Sequence, residues 1–223
     1  TLSDPSVYSQ AESDERWERA TSTTILSIAD FIELVYSKTE GDDNSETKPI
    51  QSKSTPISVE SLSELLSPSI LSQFASSKIS SIRRAFYGLL KSIVIHNPSG
   101  FVYSNMETLA PLILCQIMTE PDRANHSPLF DCILTFLQRY SNVDEDDVSK
   151  NAWVSLQKSA THKRIQQFFD RLKHLLLTGL NGNYVTVYSF LLPLLTLIPD
   201  SIKLEVPTNS SSPSLLAFYS FFF

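Results

Sequence analysis

Apolar residues recur along this chain every three or four positions, and no stretch alternates at the period of two that a half-buried strand requires. The greasiest stretch, residues 181–199 (NGNYVTVYSFLLPLLTLIP), opens on a glycine turn, carries Pro193 inside an apolar helix and stops on Pro199. A helix that is apolar on nearly every face needs neighbours on several sides. The amphipathic stretches before and after it are the obvious ones. Elsewhere the chain repeats this arrangement more loosely, as amphipathic helix, short turn and greasier helix.

In chain order, residues 1–13 are polar and read as a loop or frayed start. A first helix is predicted from about Asp14 to Ser37, with Asp14 as N-cap and Trp17, Ile25, Ile28, Phe31, Ile32 and Val35 as its inward stripe. Residues 38–56 (KTEGDDNSETKPIQSKSTP) hold almost nothing to bury and read as a disordered, solvated linker. Ser58 then caps a short helix. Ser67-Pro68 opens another, with the proline at the first helical position, where its missing N–H costs nothing. Residues 78–95 place Ile79, Ile82, Phe86, Leu89, Leu90 and Ile93 on one helical face and Arg84, Tyr87 and Lys91 on the other. Asn97-Pro98-Ser99-Gly100 is a turn, and Ser104 is expected to cap the next helix, which contains Pro111. Ser127-Pro128 opens a further helix, and an acidic turn at 144–147 leads into a shorter one near 148–156. After Thr161 comes HKRIQQFFDRLKHLLL, which Gly179 is expected to end.

Helix-pair starts near Lys78, Ser127 and Thr161 lie 49 and 34 residues apart. Their mean falls within the ~40–47-residue period of HEAT and armadillo repeats. The fold expected is therefore all-α, an α-solenoid of stacked HEAT/armadillo-like helix pairs, with Pro111 and Pro193 supplying kinks in the second helix of a pair. Residues 1–37 form an N-terminal segment, 38–56 the linker and 57–223 the repeats. A last apolar run opened by Ser212-Pro213 is cut off at Phe223, as in a fragment whose helix continues elsewhere.

Composition narrows the function classes. With 42% apolar residues the 223-residue chain can bury a sizeable core. A formal charge of −6 argues against a protein that binds nucleic acid all over its surface, although a local basic face is compatible with it. Cys115 and Cys132 sit inside apolar helical runs and read as free thiols in a reducing compartment. No apolar run approaches the ~20 residues of a membrane span.

Candidate chemistry is sparse. His96, His126, His162 and His174 lack the spacing and the thiol or acidic neighbours of metal ligands. Glu40, Asp42, Asp43 and Glu46 lack the alternation of a calcium loop. Gly179-Leu180-Asn181-Gly182 lacks the lysine of a phosphate loop, and nothing matches a nucleophile elbow. The expectation is no catalytic, cofactor or metal residue in this chain. What stands out is basic: Lys158, His162, Lys163, Arg164, Arg171, Lys173 and His174 fall within seventeen residues against one acid, Asp170. On a helical wheel Lys163, Arg164, Arg171 and His174 lie opposite Ile165, Phe168 and Leu172. Arg84 and Lys91 form a similar pair on the earlier helix. These six are the candidate surface, read either as an RNA-facing patch or as the ordinary solvated side of a repeat helix.

Three stretches carry a resemblance: residues 82–98 (IRRAFYGLLKSIVIHNP), 106–128 (METLAPLILCQIMTEPDRANHSP) and 179–199 (GLNGNYVTVYSFLLPLLTLIP). They resemble the N-terminal helical domain of listerin, the RING-type E3 ubiquitin ligase of ribosome-associated quality control. The most telling parts are the glycine turn with Tyr188, Leu191-Leu192-Pro193-Leu194-Leu195 and Pro199, and the Arg83-Arg84 pair ahead of an aromatic and leucine-rich run. The matching stretches run from residue 82 to 223, with weaker support in 14–36. The resemblance implies a cytosolic, non-catalytic docking module. Its partners would be large (60S) ribosomal subunits bearing stalled peptidyl-tRNA and a tRNA-recognising partner factor, with no membrane and no small-molecule substrate. It also implies that zinc belongs to a RING domain elsewhere in the parent protein, because two cysteines cannot supply a cross-brace site. The alternative is a generic HEAT scaffold that binds a protein partner in its concave groove.

Overall fold

The structure, a computed structural model, describes residues 5–37, 64, 66–141, 151–160, 162–180 and 184–199. Those residues form eleven helices and no strand: α1 (Pro5–Ser37), α2 (Pro68–Ala75), α3 (Ser80–His96), α4 (Phe101–Ser104), α5 (Met106–Leu114), α6 (Gln116–Thr119), α7 (His126–Tyr140), α8 (Ala152–Ser159), α9 (His162–Leu180), α10 (Tyr184–Thr186) and α11 (Leu192–Thr196). Single 3-10 turns at Pro98–Gly100 and Arg123–Asn125 precede α4 and α7, and a π turn at Val187–Leu191 joins α10 to α11. The linker, the Ser58 helix, the acidic turn and the tail beyond Pro199 lie outside the described residues.

Packing alternates along the chain. Helix α1 lies against α3, α3 against α7, and α7 against the π turn and α11. On the other side α2 touches α5, α5 lies on α8, and α6 meets α9. Between the two rows sits one core that includes Phe86, Leu89, Ile113, Phe130, Phe136, Trp153 and Phe168, each almost fully buried. Helix ends are closed by their neighbours. The last turn of α3 leaves carbonyls without intrahelical partners, and from α7 Arg139 donates to the Ile95 carbonyl at 2.7 Å and Tyr140 to that of Val94 at 3.2 Å. Asn97 stops α3 in the left-handed conformation (φ 41°), and its side chain accepts from the Val102 N–H at 2.8 Å. Asn151 caps α8 by accepting from the Trp153 and Val154 N–H groups.

Several boundaries differ from the sequence reading. Helix α1 begins at Pro5, so Asp14 is interior to it rather than a cap. Trp17 and Val35 face solvent, while Ile25, Ala29 and Ile32 form the buried seam. Ser104 ends the short α4, and α5 starts at Met106. Tyr87, expected on the polar face of α3, is fully buried, because its hydroxyl has an acceptor inside (described below).

Gly179 does not end α9, which runs on to Leu180. Its role is contact: a Cβ at that position would lie 2.5 Å from Val187 Cγ2. Only glycine lets α9 approach the following helix so closely.

Pro193 follows the π turn directly. A proline ring collides with the carbonyl four residues earlier in a regular α-helix. Here the Leu192 N–H reaches back five residues to the Val187 carbonyl, and this wider turn carries Ser189 and the approach to the proline.

Candidate functional site

The connection between α6 and α7, residues 120–125, lies at the centre of the basic region, and folding sorts its charges. Glu120 is 2% exposed and accepts two parallel bonds from Arg83, Nε to Oε2 and Nη2 to Oε1, both 2.9 Å. Tyr87 donates its hydroxyl to Oε2 at 2.5 Å and the Asp122 N–H donates to Oε1 at 2.9 Å. Arg83 Nη1 donates to the Ser77 carbonyl at 2.8 Å. Burial by itself pushes the Glu120 carboxyl up. The bonds from Arg83 and Tyr87 outweigh that and hold it below its ordinary 4.5. Burial, together with the bond to Glu120, drives the Tyr87 phenol far above its usual 10.0, so it stays a donor.

A second layer binds the same connection to the start of α3. The Asp122 carboxylate takes a hydrogen bond from the Ser80 hydroxyl and the Ala124 N–H (2.9 Å), and both hold its pKa down. Asn125 donates to the Ser80 carbonyl at 3.0 Å and accepts from Arg84 Nε at 3.1 Å; Arg84 Nη2 also donates to the Ala124 carbonyl at 2.8 Å. Both acids of the connection therefore point at α3, and the Asn125 side chain is not used to cap α7.

Of the six candidate residues, Arg84 is thus exposed but engaged by Ala124 and Asn125. Lys91 pairs with Asp131 of α7 at 2.5 Å. Both fasten α3 to its neighbours. Lys163, Arg164 and His174 are exposed on α9, and Arg171 is half-buried, with its Nε 3.3 Å from the Ile117 carbonyl of α6. Phe168 and Leu172 face the core on the opposite side. Lys158 lies 3.9 Å from Glu107.

Two concavities flank the connection. One, of about 710 Å³, opens between α2, α5 and α9, with Lys78, Arg83 and Arg164 among its cations and Pro68, Pro111 and Leu112 in its walls. Cys115 lines it, with a thiol that burial pushes up and Arg164 partly pulls back. The second, about 620 Å³, lies between the turn into α7 and the second half of α9 and gathers Arg123, His126, Arg171 and His174. Cys132, by contrast, is enclosed, and burial pushes its thiol up to about 12. Among the described residues no group of three His, Cys, Asp or Glu could hold a metal ion, and no helix is long and apolar enough to cross a membrane.

The family model for the N-terminal domain of the E3 ubiquitin-protein ligase listerin matches residues 1–198. The chain belongs to the listerin N-terminal domain family. Its match takes in every described helix, from α1 to α11, so it starts well ahead of residue 82, where the sequence resemblance begins, and ends at 198, short of that resemblance's limit at 223. No curated protein sequence and no solved structure matches the chain.

Within this listerin-family domain the Arg83-Arg84 pair has an internal task, since both guanidiniums tie the 120–125 connection to α3. Sequence reasoning missed Arg123 and His126 as members of the basic region. They lie far from α9 in sequence, and Arg123 sits beside Asp122 and Glu120, whose charges mask it until folding turns them inward.

Proposed function

We propose that this chain is a docking module of a listerin-like ubiquitin ligase, recognising large ribosomal subunits that carry stalled peptidyl-tRNA, in the cytosol and beside a tRNA-recognising partner factor. Ubiquitin transfer and zinc then belong to a RING domain elsewhere in the parent protein. The alternating helix contacts support a stack of HEAT-like pairs, an architecture whose use is surface recognition rather than chemistry. Family membership carries the reading. The exposed face of α9, with Lys163 and Arg164 unpaired among the described residues, supports ribosomal RNA phosphates as the contact.

The test is charge reversal at Lys163→Glu with Arg164→Glu. Both side chains are exposed, whereas Arg171 donates to Ile117 and its reversal would disturb the fold. Affinity for stalled large subunits should fall about tenfold, and the slope of log affinity against log salt should shrink by about two. Unchanged affinity and slope would remove this face from the interface.

A second reading, a scaffold that holds a protein segment, is favoured by the larger concavity with its proline and leucine walls. It predicts a protein partner whose binding responds little to salt.

A further inference from the structure

Four basic side chains from two separate stretches converge on the 620 Å³ cavity: Arg123 and His126 from the turn into α7, and Arg171 and His174 from α9. Among the described residues no carboxylate lines it. The acids nearest Arg123 in sequence are committed elsewhere, Glu120 to Arg83 and Asp122 to Ser80 and Ala124, and Asp170, next to Arg171, is exposed and stands outside the lining. The side chains of Arg123 and His174 make no hydrogen bond or ion pair among the described residues, and Arg171 uses its Nε on Ile117, which leaves its outer nitrogens free of that bond. Facing one concavity, the two guanidiniums raise the local positive potential and favour an anion there. Two guanidinium forks suit the oxygens of a tetrahedral phosphate, which accept paired N–H bonds. The Ser127 hydroxyl in the lining adds a donor of the right kind, whereas Thr178 spends its proton on the His174 carbonyl at 2.8 Å.

We propose that this cavity is an oxyanion site that takes one phosphate group, with Arg123 and Arg171 supplying the charge and His126 and His174 further N–H donors. The inference builds on the basic side of α9 being the partner-facing side in the reading above, but its test needs no ribosome. The shared chemistry is the phosphate itself, carried either by a polynucleotide backbone or by a free phosphomonoester.

Inorganic phosphate, titrated at constant ionic strength against the isotopically labelled protein and followed by backbone amide resonances, is the probe. Saturable shifts confined to residues 123–127 and 171–178 are expected. Arg123→Gln with His174→Gln should weaken binding at least about fivefold, because charge-assisted bonds are lost. Arg19→Gln, an exposed control on α1 outside the cavity and the α9 face, should change it less than about twofold, as general screening would. Should the double variant fold poorly, Arg123→Gln alone repeats the comparison at an exposed position. Non-saturable shifts, or equal weakening by variant and control, would overturn the site. Competition then separates the sources: displacement by a short single-stranded oligouridylate marks a polynucleotide, displacement by phosphoserine alone marks a phosphomonoester, and displacement by neither rejects the site. Phosphate binding without ribosome association would count against the docking reading only; ribosome association without phosphate binding would count against this site only.

Discussion

Arg83 and Glu120 meet as a buried, bidentate ion pair that fastens the connection ahead of α7 to the first turns of α3. Removing one partner of such a pair strands the other charge inside the protein. Glu120→Gln should therefore cost about 3 kcal/mol of stability at neutral pH, read as a lower denaturant midpoint.

The same pair sets an acid limit. The Glu120 carboxyl titrates below its unfolded value of 4.5. Its contribution is thus complete above that value and is lost as pH falls through the lower, folded one. Urea melts between pH 6 and about 3 should show a steep acid decline in the parent protein and a shallower one in Glu120→Gln. Parallel declines would mean that other carboxylates set the limit.

Gly179 and Val187 make a second close approach. Gly179→Ala places a methyl 2.5 Å from a buried Val187 Cγ2, so something must shift, at a cost of about 2 kcal/mol. Combining it with Val187→Ala should recover part of that loss, a coupling that a double-mutant cycle measures directly. Additive losses would place the cost elsewhere, in α9 itself.

These two contacts show what the sequence made legible. Helix spacing gave the all-α class, and Ser67-Pro68 and Asn97 through Gly100 marked boundaries where proline and turn chemistry act locally. A helical wheel puts Tyr87 on the surface because it sees only its own helix, and the acceptor that draws it inward is thirty-three residues away. Gly179 looks like a helix stop because glycine commonly is one; its real constraint comes from Val187 in the π turn. The basic region suffered likewise. Its α9 half was visible as a run, whereas Arg123 and His126 joined it only through tertiary packing, and Arg84 and Lys91 turned out to hold neighbouring helices.

Ser141 supplies a stabilising change. Its hydroxyl is buried without a hydrogen-bond partner among the described residues. Such a group costs free energy that alanine does not. Ser141→Ala should raise stability by about 0.5–1 kcal/mol, visible as a higher melting temperature; a lower one would reveal a partner for the hydroxyl.

The most direct test of the docking account is co-sedimentation of this protein with purified large subunits carrying stalled peptidyl-tRNA, beside intact ribosomes and at two salt concentrations. The account predicts selective association with the stalled large subunit that weakens as salt rises. Equal binding to intact ribosomes, or selective binding indifferent to salt, would contradict it.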